Sequence, residues 1–164
     1  MAEDVRLVRA VSADIDRVAD LYVAAHHHAG VIGFPGASDD DVTRRWVRKC
    51  VIYDEFWIAE RGRREFLGIL ALSPDSLEIL AIDPEQRGQG IGALLIEHAK
   101  ERRPLKLRAR ISQAAPDTIA FLAEHGFEPI DGVPDALGQG YVDLQWSIGE
   151  ESMLDAQTEN YSPA

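Results

Sequence analysis

The stretch "IDPEQRGQGIGALL", Ile82 to Leu95, sets Gly88, Gly90 and Gly92 between an apolar run and a segment of helical periodicity. Glycine loses more chain entropy on folding than any other residue, so such a cluster is costly to order. Two readings fit these residues. One is an ordinary connecting loop. The other is a cradle for an anion. A helix start offers N–H groups without intrahelical partners and the positive end of the helix dipole, and backbone without Cβ atoms can be approached closely. Arg87 at the lip adds a charged donor.

Composition narrows the partners. Lys plus Arg is 17 and Asp plus Glu is 28, for a net charge of −11. Such a field does not attract nucleic acid or an anionic membrane. No apolar run reaches the roughly 20 residues that span a bilayer. The opening "MAEDVRLVRA" has acidic residues where a secretory leader carries basic ones, so a cytoplasmic protein is expected. The 164 residues suit one domain. The single Cys50 leaves no internal disulfide and no Cys-rich zinc site, and reads as a buried helix residue.

The period of the apolar residues gives the element order. "DVRLVRAV" alternates as a strand. "SADIDRVADLYVAA" places Ile15, Val18, Ala19, Tyr22 and Val23 at helical spacing behind Ser12 as N-cap. "DDDVTRRWVRKCV" is a second helix, acidic at its start. "EFWIAER" and "EFLGILALS" form a strand pair across a tight turn, and "DSLEILAID" is a further strand that Pro84 stops. After the glycine loop, Ile91, Leu94, Leu95, His98 and Ala99 mark one helix face, which Pro104 closes. "LKLRARI" is a strand, "DTIAFLAEHGF" a helix ending near Gly126, and "YVDLQWSI" a last strand. The order β-α-α-β-β-β-α-β-α-β-β predicts an α/β (α+β) layered domain with a mixed sheet over residues 1–149. The aperiodic acidic segment 150–164 is expected to be a disordered tail.

Three kinds of phosphate cradle compete for the loop. A Walker A loop needs Lys and then Ser or Thr around its last glycine, and Ile91 and Ala93 flank Gly92 instead. A dinucleotide fingerprint would follow its strand directly and lead to an acidic residue at the end of the next strand. Here "PEQR" intervenes, and "LKLRARI" ends in Arg108 and Arg110. The third fits: Arg87-x-x-Gly90-x-Gly92, after "LAIDPE" and opening "ALLIEHAK", resembles the acetyl-CoA-binding loop of the GNAT acetyltransferase superfamily. "FLAEHGFEPI" (121–130) is similar to the family's second landmark, a helix running into Gly-Phe and a strand.

The resemblance implies a mostly antiparallel central sheet with helices on both faces, and an N-acetyltransferase that passes an acetyl group from acetyl-CoA, by direct attack, to a small amine or a protein amine, of which the acidic charge balance favours a cationic small molecule. It implies that the pyrophosphate lies on the amides of Arg87, Gly88, Gln89, Gly90, Ile91 and Gly92. The pantetheine arm would run beside Leu80, Ala81 and Ile82, and an N–H near Ile82 would face the developing oxyanion. A strand bulge would open the sheet to the thioester. Strand alternation puts Glu78 on the side of Leu80 and Ile82, where it reads either as the general base or as an ordinary charged strand residue. The sequence departs from the family on one segment. Leu122 stands where a tyrosine acid is common, and Ala115 where an asparagine usually binds pantetheine. Tyr141 is the substitute acid, or else a packing residue. A binding module that retains CoA affinity without catalysis is the alternative, and a homodimer through the last strands or the tail is within the family's habit.

"HHH" at 26–28 is a weak metal motif, because adjacent helical side chains diverge by about 100°. No carboxylate or thiol stands nearby to complete a set, so no metal is expected. His28 and Phe34, in the segment between the first two helices, are candidates for acceptor contact. Trp46, Trp57 and Trp146 read as core.

Overall fold

Strand β1 (Val5–Arg9) leads through a 3-10 turn (Ser12–Asp14) into α1 (Ile15–His27) and α2 (Asp40–Tyr53). Then come β2 (Glu55–Arg61), β3 (Glu65–Leu72), β4 (Leu77–Ile82), a 3-10 turn (Pro84–Gln86), α3 (Ile91–Arg102), β5 (Lys106–Ser112), α4 (Pro116–Glu124), β6 (Glu128–Pro129) and β7 (Tyr141–Ser147). This computed structural model describes residues 4–27, 31–33, 39–113, 115–130 and 140–149. The element order is the one the apolar periodicity dictates. The expected tail, 150–164, and the candidates His28 and Phe34 lie outside the described residues.

Strands β1 to β4 form an antiparallel sheet in sequence order, and β5, β7 and β6 form a second antiparallel sheet in that spatial order. Among the described residues the two halves meet at one parallel bridge, Ser76 with Arg108, where Arg108 N–H donates to Asp75 O at 3.0 Å. Beyond that bridge β4 and β5 separate, so the mixed sheet opens as a wedge. The expected bulge is present. Ala71 pairs with Ile79, but the next pair is Leu72 with Leu77, which leaves Glu78 as an extra residue on β4. An extra residue raises the local twist and turns the strand away from its neighbour.

Two apolar layers hold the sheets. Helices α1 and α2 cover one face with Val18, Tyr22, Ala25 and Val47 against Ile58, Ile69, Ile79 and Ala81. Helices α3 and α4 cover the other with Leu95, Ile96, Ala99 and Leu122 against Leu67, Leu70, Leu80, Leu107 and Leu144. Each of the buried Val, Leu and Ile side chains, taken fully from water, contributes about 1.5–3 kcal/mol. Sequence placed Ser12 as the cap of the first helix. Instead the Asp14 carboxylate accepts the Val11 N–H at 3.0 Å and is itself bound by Arg64 at 2.9 Å. A carboxylate with a guanidinium partner can be drawn inside, and Asp14 is buried. At α2 the acidic start is present in Asp40 and Asp41, and Asp39 caps the helix by accepting the Asp41 N–H at 2.8 Å.

Candidate active site

The glycine loop lies at the mouth of the wedge. Gly88 and Gly90 both have φ of 80°, in the left-handed region, and a Cβ on either would meet no atom within 4 Å. Gly90 is the N-cap of α3 and offers no side-chain cap, so the first amides of α3 face open space with the dipole behind them. Gly92 differs. A Cβ there would stand 3.2 Å from Phe121 Cζ, so this glycine lets the start of α3 approach α4. The loop borders a cavity of about 380 Å³ lined by Leu80, Ile82, Arg87, Gly88, Gly90, Ile91 and Gly92, and on its far wall by Asp117, Thr118 and Phe121.

Gln89 turns elsewhere. Its side chain accepts from Arg61 Nη1 at 3.0 Å and donates to Gln86 Oε1 at 2.9 Å. Gln86 in turn donates to Glu65 at 3.0 Å. This network fastens the loop to the β2–β3 turn, so Gln89 contributes its backbone to the cradle while its side chain braces it.

On the open edge of β4, Leu80 exchanges both main-chain hydrogen bonds with Ile32, at 2.9 and 3.0 Å. Ala81 pairs with Ile69 on β3, and its side chain is buried against α1, away from the cavity. Strand alternation then turns the N–H and C=O of Ile82 into the wedge beside the cavity. Of the three β4 residues named from sequence, Ile82 thus turns its backbone, and Leu80 its side chain, towards the cavity.

The bulge overturns the expected side for Glu78. Because it is the extra residue, alternation breaks there, and Glu78 faces α2 rather than the cavity of Leu80 and Ile82. It lines a second cavity of about 270 Å³ with Ile32, Gly33, Trp46, Arg110 and Tyr141. The structure therefore brings Glu78 and Tyr141, which are far apart in sequence, to one cavity. The charge of Glu78 is felt at Cys50 on α2, whose thiol is pushed up to about 12, first by burial and then by Asp54 and Glu78. Trp46 is half-buried and forms a wall of this cavity, which its place in a helical period concealed. Leu122 is fully buried in the α3–α4 layer and lines neither cavity. Asp117 and Thr118 on the far wall of the glycine-loop cavity carry no sequence signal beyond their place in the first turn of α4.

Two cavities thus meet at the Ile32–Leu80 bridge of this α+β fold, one cradled by an uncapped helix start and one holding a carboxylate. Residues 52–129 match the family model described as the acetyltransferase (GNAT) domain. This part of the chain, from the end of α2 to β6, is what it has in common with that family. The chain is 33% identical to the peptidyl-lysine N-acetyltransferase YjaB of Salmonella typhimurium over 72 residues, which cover 44% of this chain and 49% of that protein. The chain thus spans about half the length of the curated relatives it matches. The apo solution structure of YjaB from Escherichia coli superposes with a TM-score of 0.63 at 24% identity, covering 86% of this chain and 95% of that one. A mutant of the spermidine N-acetyltransferase SpeG from Vibrio cholerae gives 0.62 at 15% identity, covering 88% and 94%. Among the described residues there is no group of three or more His, Cys, Asp or Glu side chains placed to hold a metal ion.

Proposed function

We propose that the protein transfers an acetyl group from acetyl-CoA to a primary amine by direct attack within one domain, residues 1–149. The observation that carries this is the pairing of cavities: an open phosphate-sized cradle at the start of α3 and, across the Ile32–Leu80 bridge, a cavity holding Glu78 and Tyr141. The uncapped amides from Gly88 to Gly92 suit a pyrophosphate, and the apolar side chains of Leu80, Ile82 and Phe121 suit the arm that follows it. Acetyl-CoA, when bound, supplies an activated thioester carbonyl. Glu78 takes the proton that an ammonium acceptor must shed before it can attack. Ile82 N–H faces the wedge where negative charge develops. Tyr141 gives the leaving sulfur its proton. A single buried thiol suits a reducing, cytoplasmic setting. Lysine and spermidine acetylation by proteins of this fold support an amine acceptor.

The second reading is a CoA-binding protein without turnover, favoured by the buried Leu122 at the position where the resemblance calls for an acid. Melting with acetyl-CoA, CoA and NADP tests the shared part. Ligand at 100 times its dissociation constant adds about 2.7 kcal/mol. A rise with both CoA forms and not with NADP is expected; no rise with either CoA form sinks both readings. Glu78→Gln then separates them. Turnover falls by about 10²–10⁴-fold with CoA affinity kept if Glu78 is the base.

A further inference from the structure

We infer that the acceptor is a primary amine that also carries a carboxylate, an amino-acid-type zwitterion, and that Arg110 selects it. The inference rests on the acyl-transfer reading above for which cavity takes the amine. The lining of that cavity is dipolar. Glu78 on β4 is its one carboxylate, and Arg110 on β5 is its one cation among the described residues. The bridge at Ser76 and Arg108 sets the two strands side by side, so the residues that follow on each strand, Glu78 and Arg110, stand on opposite lips of the opening wedge.

Arg110 is oriented rather than loose. Its Nε and Nη2 donate to the two carboxylate oxygens of Asp143 at 3.0 and 3.3 Å, which fixes the plane of the guanidinium at the cavity rim. A planar, oriented guanidinium is the side chain best suited to a carboxylate. Between the two charges, Trp46, Ile32 and Tyr141 offer apolar and aromatic surface for a short alkyl spacer. A polyamine fits this lining poorly. Its further ammonium groups would find the Asp143 carboxylate already engaged by Arg110 and would meet Arg110 itself, and like charges at close range disfavour binding.

Calorimetry on CoA-saturated protein reads acceptor binding without turnover. The probes are γ-aminobutyrate, n-butylamine and spermidine. γ-Aminobutyrate is expected to bind about tenfold more tightly than n-butylamine, the value of one hydrogen bond to a charged group. Arg110→Gln should collapse that ratio towards one, and Arg110→Lys should restore part of it. Equal binding of the two monoamines, tighter binding of spermidine, no binding of any probe, or a ratio that survives Arg110→Gln overturns the inference. γ-Aminobutyrate that binds as expected but is never acetylated leaves the dipolar site standing and removes the acyl-transfer reading instead.

Discussion

Single residues carry the site because each is forced into its role by backbone geometry. Gly90 sits at φ of 80° with open space where a Cβ would be. An alanine there meets no protein atom, so its cost is conformational, about 1–2 kcal/mol for a left-handed L-residue. The same Cβ would project into the cradle. Gly90→Ala is therefore expected to lower the melting temperature of the free protein and to shrink the rise that CoA produces. Full CoA stabilisation on a less stable protein would show that the anion lies elsewhere. Cys50 makes a second residue-scale case. Burial pushes its thiol up to about 12, so almost no thiolate exists at neutral pH. Alkylation of the native protein should be slower than that of the denatured chain by orders of magnitude; equal rates would mean that α2 does not stay seated on the sheet.

Elements set where those residues point, and Gly68 on β3 shows how tightly. A Cβ there would stand 3.0 Å from both Ile82 Cδ1 and Ile91 Cγ2, and 3.1 Å from the Ala81 carbonyl oxygen. Its absence lets β4 and the start of α3 close onto β3, and the side chains of Ile82 and Ile91 line the cavity beside the glycine loop. Gly68→Ala is expected to cost about 1–3 kcal/mol as overpacking and to weaken CoA binding. Denaturant titration and CoA titration of the same variant check the two effects together; a neutral result in both would mean that the layers slide freely. Gly68 drew no notice in the sequence because its reason lies across the sheet. Legibility follows that division throughout. Helices, strands and the glycine cradle could be read because their signals are local: period, cap and Cβ-free backbone. Glu78 could be named but not aimed, since one extra residue on β4 is a property of its pairing with β3. The Ile32–Leu80 bridge and the Trp46 wall depend on partners nearly fifty and thirty-two residues away, and period alone cannot report them.

At the scale of the molecule, α3 must hold its glycine start at the wedge, and its far end is clasped to make that so. Glu55, at the start of β2, accepts from Arg102 Nε at 2.6 Å, from Arg103 Nη1 at 3.3 Å and from Trp57 Nε1 at 2.8 Å. Arg103 also donates to the Ser73 carbonyl at 3.0 Å, next to the β3–β4 turn. The Arg102 hydrogen bond above all, with help from Trp57 and Arg103, holds the Glu55 carboxyl down at about 2 from an ordinary 4.5. A carboxyl lowered in the folded state stabilises it fully above the unfolded value, and that contribution is lost as pH falls towards the folded one. The window is therefore about 4.5 down to 2. Arg102 is 44% exposed, so solvent screening reduces the contribution to about 1–2 kcal/mol. Glu55→Gln should be less stable than the parent at about pH 6, and the gap should narrow towards about pH 2.5, where both carry the same loss of the other carboxylates. A gap that stays constant with pH would make the clasp a matter of packing rather than charge. Because the clasp and the cradle are opposite ends of one helix, CoA affinity in Glu55→Gln at neutral pH reads whether the clasp serves the site. A loss of affinity without loss of the fold would show that the far end of α3 positions its glycine start.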